Sequence, residues 1–103
     1  MVDITVLKNY LDVTYDDEDN DRKLYGILQR ATAEIRELCA VPDGAELTDS
    51  EEQLLLDCCR YIRANALEDF PVNFGNAILG LRLKRLGTAA SEATEAKEAE
   101  NGG

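Results

Sequence analysis

The stretch Leu24-Tyr25-Gly26-Ile27-Leu28-Gln29-Arg30-Ala31-Thr32-Ala33-Glu34-Ile35-Arg36-Glu37-Leu38 decides the fold. Its apolar positions Leu24, Leu28, Ala31, Ile35 and Leu38 advance by alternating steps of four and three. That is the period of an α-helix, so the five side chains line one face over about four turns. Acidic residues from Glu18 to Asp21 stand where the positive end of the helix dipole would lie, and Pro42-Asp43-Gly44 supplies a stop. The pattern predicts a helix over 18–40.

Reading onward, Thr48-Asp49-Ser50-Glu51 fits a capping box, in which the Thr hydroxyl and the Glu carboxylate satisfy reciprocal backbone donors ahead of an apolar run. The predicted helix covers 49–69 and ends at Phe70 before Pro71. Its apolar residues Leu54, Leu55, Cys58, Cys59, Ile62, Ala66 and Leu67 make a face wide enough for several neighbours. Upstream, Ile4, Leu7 and Leu11 predict a short helix over 4–12. Downstream, Asn73 is placed to cap a helix over 74–86 in which Phe74, Ile78 and Leu81 form one stripe and Leu79, Leu83 and Leu86 another. Arg82, Lys84 and Arg85 suit the negative end of that helix, and Gly87 is its expected stop. No strand-like alternation competes, so the expected fold is all-α: a small four-helix domain over 1–87. Residues 88–103 contain no side chain larger and more apolar than Ala, and an Ala/Glu-rich tail of that kind is expected to be disordered.

Composition narrows the function. The 103 residues carry 21 acidic and 11 basic side chains, a net charge of -10, of which -6 falls between Asp12 and Asp21. An acidic surface repels phosphates and anionic lipid, so nucleic acid and membrane are poor partners. There is no His, which removes the commonest general base and the His-containing zinc sites. The opening Met1-Val2-Asp3-Ile4-Thr5 lacks the order of a signal peptide, and no apolar run approaches the roughly 20 residues that span a bilayer. Cys39, Cys58 and Cys59 cannot all pair, which suits a reducing compartment and a role as small apolar residues. No nucleophile, base and orienting group converge at any spacing, so catalysis is not expected.

Two features point to assembly. The last helix has apolar residues around nearly two thirds of its circumference, more than a four-helix monomer needs. Arg82, Lys84 and Arg85 form the one basic cluster in an acidic chain, and the acidic turn containing Asp16, Asp17 and Asp19 is a candidate mate for it on a neighbouring copy. The candidate interface is therefore Leu79, Arg82, Leu83, Arg85 and Leu86, with Asp16, Asp17 and Asp19 opposite. Head-to-tail contacts of this sort close into rings.

The opening helix Ile4 to Leu11, the Asp/Glu-rich turn and the long helix with Ala31 and Ile35 resemble the start of the head-tail connector (adaptor) proteins of long-tailed bacteriophages and prophages. Leu54-Leu55-Leu56-Asp57-Cys58-Cys59-Arg60-Tyr61-Ile62-Arg63-Ala64-Asn65-Ala66-Leu67-Glu68-Asp69-Phe70, then Asn73-Phe74 with Ile78, Leu79 and Leu81, is similar to their second half. The resemblance spans residues 3 to about 86. It implies a helical subunit that binds no cofactor, catalyses nothing and assembles as a ring of about twelve copies under the portal protein. Such a ring sits at the virion head-tail junction after assembly in the host bacterial cytoplasm. It extends the channel through which DNA passes without specific binding, and docks a tail-side stopper or tail protein. The family's usual pattern lacks the Ala/Glu-rich tail. A small acidic DNA-mimic or regulatory binding protein is the rival reading.

Asp17, Asp19 and Asp21 also begin like a calcium loop, yet Arg22 stands where the turn needs Gly and Leu28 where a bidentate Glu is needed. Calorimetry with calcium should give only weak, salt-screened binding. A saturable micromolar isotherm abolished by Asp19→Ala would show a real site.

Overall fold

A computed structural model describes residues 2–87 and shows a helical chain without strands among them. Helix α1 is Ile4–Tyr10, α2 is Glu18–Leu38 and α3 is Asp49–Arg63. A 3-10 turn, Leu67–Asp69, leads into the single turn of α4, Phe70–Asn73, and α5 covers 75–87. The all-α class is as expected. The expected tail, 88–103, lies outside the described residues, as does any stop that Gly87 provides.

The starts of the helices follow the sequence. Asp3 accepts the Val6 backbone N–H at 2.9 Å, and Asp17 accepts those of Asp19 and Asn20. Thr48 and Glu51 close both halves of the capping box, at 3.2 Å and 2.8 Å. Their ends are set by left-handed residues. Asp12, Ala40 and Asn65 have φ of 61°, 56° and 58°, and the residue after each donates its N–H back across the last turn: Val13 to Lys8, Val41 to Arg36 and Ala66 to Tyr61. These are Schellman closures with a left-handed residue after the cap. They end the helices earlier than the ranges 4–12, 18–40 and 49–69. Asn tolerates the left-handed region better than most residues, so Asn65 stops α3 well short of Phe70. Pro71, expected to mark the end of a helix, instead occupies the first turn of α4, where its missing N–H costs nothing. Asn73 ends α4 rather than capping α5, and its amide donates to the Tyr61 hydroxyl at 3.0 Å.

Packing centres on α2 and α3. They run antiparallel, with the end of α2 beside the start of α3: Arg82 of α5 bonds the first and Arg85, three residues on, bonds the second. Leu24, Leu28, Ala31 and Ile35 of α2 join Leu54, Leu55, Leu56, Cys58 and Cys59 of α3 in a single core that takes in Leu7, Phe70 and Ile78. Leu38, Ile62, Ile4 and Leu11 are only half-buried. Val13 and Val41, which follow two of the left-handed residues, are buried, the apolar contact that accompanies this closure. Phe70 stacks on Phe74 with centroids 4.9 Å apart, and Tyr61 meets both rings edge-on, so α4 and the start of α5 are held to α3.

Ala40 is the strained member of the three, since its Cβ crowds the carbonyl in a left-handed backbone. Ala40→Gly should stabilise the domain by about 0.5–1 kcal/mol, read as a higher midpoint in urea with unchanged slope. A lower midpoint would show that the left-handed turn is not strained.

Candidate functional site

Helix α5 is fastened to the hairpin by two arginines three residues apart. Arg85 donates from Nε to Glu51 Oε2 at 2.9 Å and from Nη2 to Glu51 Oε1 at 2.6 Å, and Nη2 also reaches the Glu46 carbonyl at 2.9 Å. Glu51 is 1% exposed. The hydrogen bonds from Arg85 hold its carboxyl below the usual glutamate range, against the burial that opposes ionisation. Its Oε1 simultaneously accepts the Thr48 N–H, so one carboxylate closes the α3 capping box and receives a bidentate guanidinium. Arg82 Nη1 lies 3.3 Å from the carbonyl oxygens of Glu37 and Leu38 and donates to them, where the last carbonyls of α2 lack helical partners.

Arg82 and Arg85 of the expected basic cluster thus make bonds inside the chain. The acidic turn is also partly engaged. Asp17 caps α2, while Lys8 Nζ lies 2.6 Å from Asp21 and 3.2 Å from Asp16, and Asp21 first, with Asp16, raises the lysine's affinity for its proton. Asp19 has a long exposed pairing with Arg22 at 3.8 Å, a contact of little energetic value. The structure does not bring the two halves of the candidate interface together: Asp16, Asp17 and Asp19 sit at the start of α2, and Arg82 and Arg85 at its far end, about 30 Å away for a helix of this length.

The three leucines of the candidate interface are exposed. With Ile78, Arg82 and Arg85 turned to the body, Leu79, Leu83 and Leu86 are 54%, 57% and 47% exposed. On the opposite flank, α5 and the first half of α3 enclose an open groove of about 540 Å³ whose apolar lining includes Leu54, Phe74, Ala77, Gly80 and Leu81, with Lys84 at one end. A smaller hollow of about 330 Å³ lies beside the α2–α3 loop. Arg36, on its wall, already donates to the carbonyls of Pro42 and Ala45, so its guanidinium serves the loop.

Cys39, Cys58 and Cys59 are buried free thiols. Burial pushes Cys58 and Cys59 up to about 12 and raises Cys39, so the thiolate that nucleophilic chemistry needs is suppressed. Tyr10 is likewise pushed up to about 12 by burial and by its hydrogen bond to Asp57. Among the described residues no three His, Cys, Asp or Glu side chains are grouped to hold a metal ion, and no helix is long and apolar enough to cross a membrane. Comparison with known proteins finds no matching family model, curated protein or solved structure.

Glu51→Gln keeps an acceptor for the capping box but removes the charge facing Arg85. It should cost about 2–3 kcal/mol. The native carboxyl titrates below its ordinary value of 4.5, so its contribution is present above that pH and is lost as pH falls through the folded-state value. Wild-type stability should therefore drop on acidification more steeply than that of Glu51→Gln. Parallel pH profiles in denaturant melts would show that the pair contributes nothing.

Proposed function

We propose that this chain is a structural subunit of a bacteriophage or prophage head-tail connector, working by assembly. The observation that carries the reading is the exposed leucine row on α5, a helix otherwise fixed to the body by charge-assisted bonds. A row of half-exposed leucines at helical spacing is costly in water unless a partner covers it. The resemblance of residues 3 to about 86 to the connector family supplies the partners: portal protein on one side, a stopper or tail protein on the other, and further copies of the chain alongside. The acidic balance supports a channel role, since a wall that repels phosphate lets DNA slide. Buried, protonated thiols and the absence of His agree with a protein that does no chemistry.

The DNA-mimic reading needs a dense display of free carboxylates. Asp16 and Asp21 share Lys8 and Asp17 caps a helix, so fewer are available than the count suggests.

The test is electron microscopy and light scattering of the subunit mixed with its cognate portal protein. Rings seated on the portal are the expected result. Failure to engage the portal, together with tight binding to a nuclease or repressor, would move the assignment to the DNA mimic.

A further inference from the structure

The groove between α3 and α5 has a charged group toward each end, and both are uncommitted. Helix α5 runs antiparallel to α3, with Phe74 against Tyr61 at one end and Arg85 on Glu51 at the other. Asp57, on the α3 wall, therefore stands toward the Phe74 end, and Lys84, on the α5 wall, toward the Glu51 end. Tyr10 and Arg60 both address Oδ1 of Asp57, at 2.5 Å and 4.0 Å, which leaves Oδ2 without a partner among the described residues. Arg82 and Arg85 are tied to carbonyls and a carboxylate, whereas the exposed Lys84 makes no hydrogen bond or ion pair among the described residues. Gln53 on one wall and Asn76 on the other are exposed, and their amides are equally unpaired there. In this register about six residues separate the levels of Asp57 and Lys84, roughly 8 Å along the helix axes, and Leu54 and Leu81 face each other midway.

We infer that this groove takes an extended peptide segment of a partner protein, with a basic residue on Asp57, an acidic residue three positions away on Lys84, and apolar residues between them. An extended chain advances about 3.3 Å per residue, so three steps cover about 10 Å, which matches the separation of the two charges. Successive side chains of such a chain point in opposite directions, so residues three apart meet opposite walls, as Asp57 and Lys84 require. The two side chains between them meet Leu54 and Leu81. Gln53 and Asn76 offer donors and acceptors to the peptide backbone, which an apolar crevice alone would leave unmatched. The groove volume of about 540 Å³ is in the range of sites that enclose small ligands. This inference stands apart from the assembly reading above and does not involve the leucine row.

The test titrates the full chain with blocked tetrapeptides and follows its amide NMR spectrum. Acetyl-Arg-Leu-Leu-Glu-amide should bind with a dissociation constant of about 1 mM or below, with shifts centred on Leu54, Ala77 and Leu81. Acetyl-Arg-Leu-Leu-Arg-amide and acetyl-Glu-Leu-Leu-Glu-amide should each bind about threefold more weakly, the scale of one partly exposed ion pair. The chain's net charge of -10 favours the di-arginine peptide, so a preference for the mixed one must come from the groove. Lys84→Glu should reverse that order and favour the di-arginine peptide. Asp57→Asn, which keeps an acceptor for Tyr10, should bring the di-glutamate peptide level with the mixed one. The comparison of the three peptides on wild type needs no variant and decides the question even if a variant fails to fold. No saturable shift at about 5 mM peptide, equal binding of all three peptides, or shifts centred on Leu79, Leu83 and Leu86 would each overturn the inference. So would an unchanged order of affinities in a folded Lys84→Glu chain.

Discussion

The bidentate bond between Arg85 and Glu51 is the constraint on which the arrangement of the last helix depends. A carboxylate that is 1% exposed must be matched by hydrogen bonds and opposite charge, or it would give up its charge or its place. Glu51 is buried because it closes the cap of α3, and closing that cap leaves Oε2 and part of Oε1 unmatched. The guanidinium of Arg85 fills both and reaches the Glu46 carbonyl in the loop behind. Arg82 does related work at the other helix end, where the α2 dipole is negative and its carbonyls lack partners. The loop end of the hairpin is thus held by side chains from a segment more than thirty residues downstream.

Much of the fold could be read from local pattern. The spacing from Leu24 to Ile35, the capping box at Thr48 and the apolar runs of α3 and α5 all report interactions within a few residues, and each led to the right element. Helix ends were less legible because they depend on a left-handed residue. Two of the three such positions, Asp12 and Ala40, are not the glycine that usually marks one, and Asn65 was a usable signal passed over in favour of Pro71. The division of the region after Asn65 into a 3-10 turn, a single helical turn and α5 follows from how Phe70 and Phe74 stack under Tyr61, a tertiary event with no periodic signature.

The candidate surface was half legible. Surplus leucine on α5 is a counting argument, and the exposure of Leu79, Leu83 and Leu86 agrees with it. The sequence offers two charged patches, yet the buried ion pair joins Glu51, which the pattern marks only as a capping residue, to Arg85, which it marks only as one of a basic cluster. Pairing across 34 residues leaves no local trace, and Lys8, which meets Asp16 and Asp21, was equally invisible. Net charge located the acidic segment correctly but not its partners. Charges near a helix start are first absorbed by the cap and by whichever cation the preceding turn presents.

Two anchors fix more than one could. A single salt bridge would hold α5 near the hairpin while leaving it free to roll about its axis. Arg82 and Arg85, three residues apart, share a face with Ile78, which is buried in the core, and together they set the rotation of the helix as well as its position. Once that rotation is set, residues about 100° further round have nowhere to go but outward, and those residues are the leucines. An interaction surface must be presented in one orientation if successive copies are to meet at the same angle, because angular play accumulates from contact to contact and prevents a ring from closing. In the assembly proposed above, the buried pair would serve as a rigid scaffold serves an active site: it holds the leucines in a single geometry, so that less ordering would be required when a partner docks.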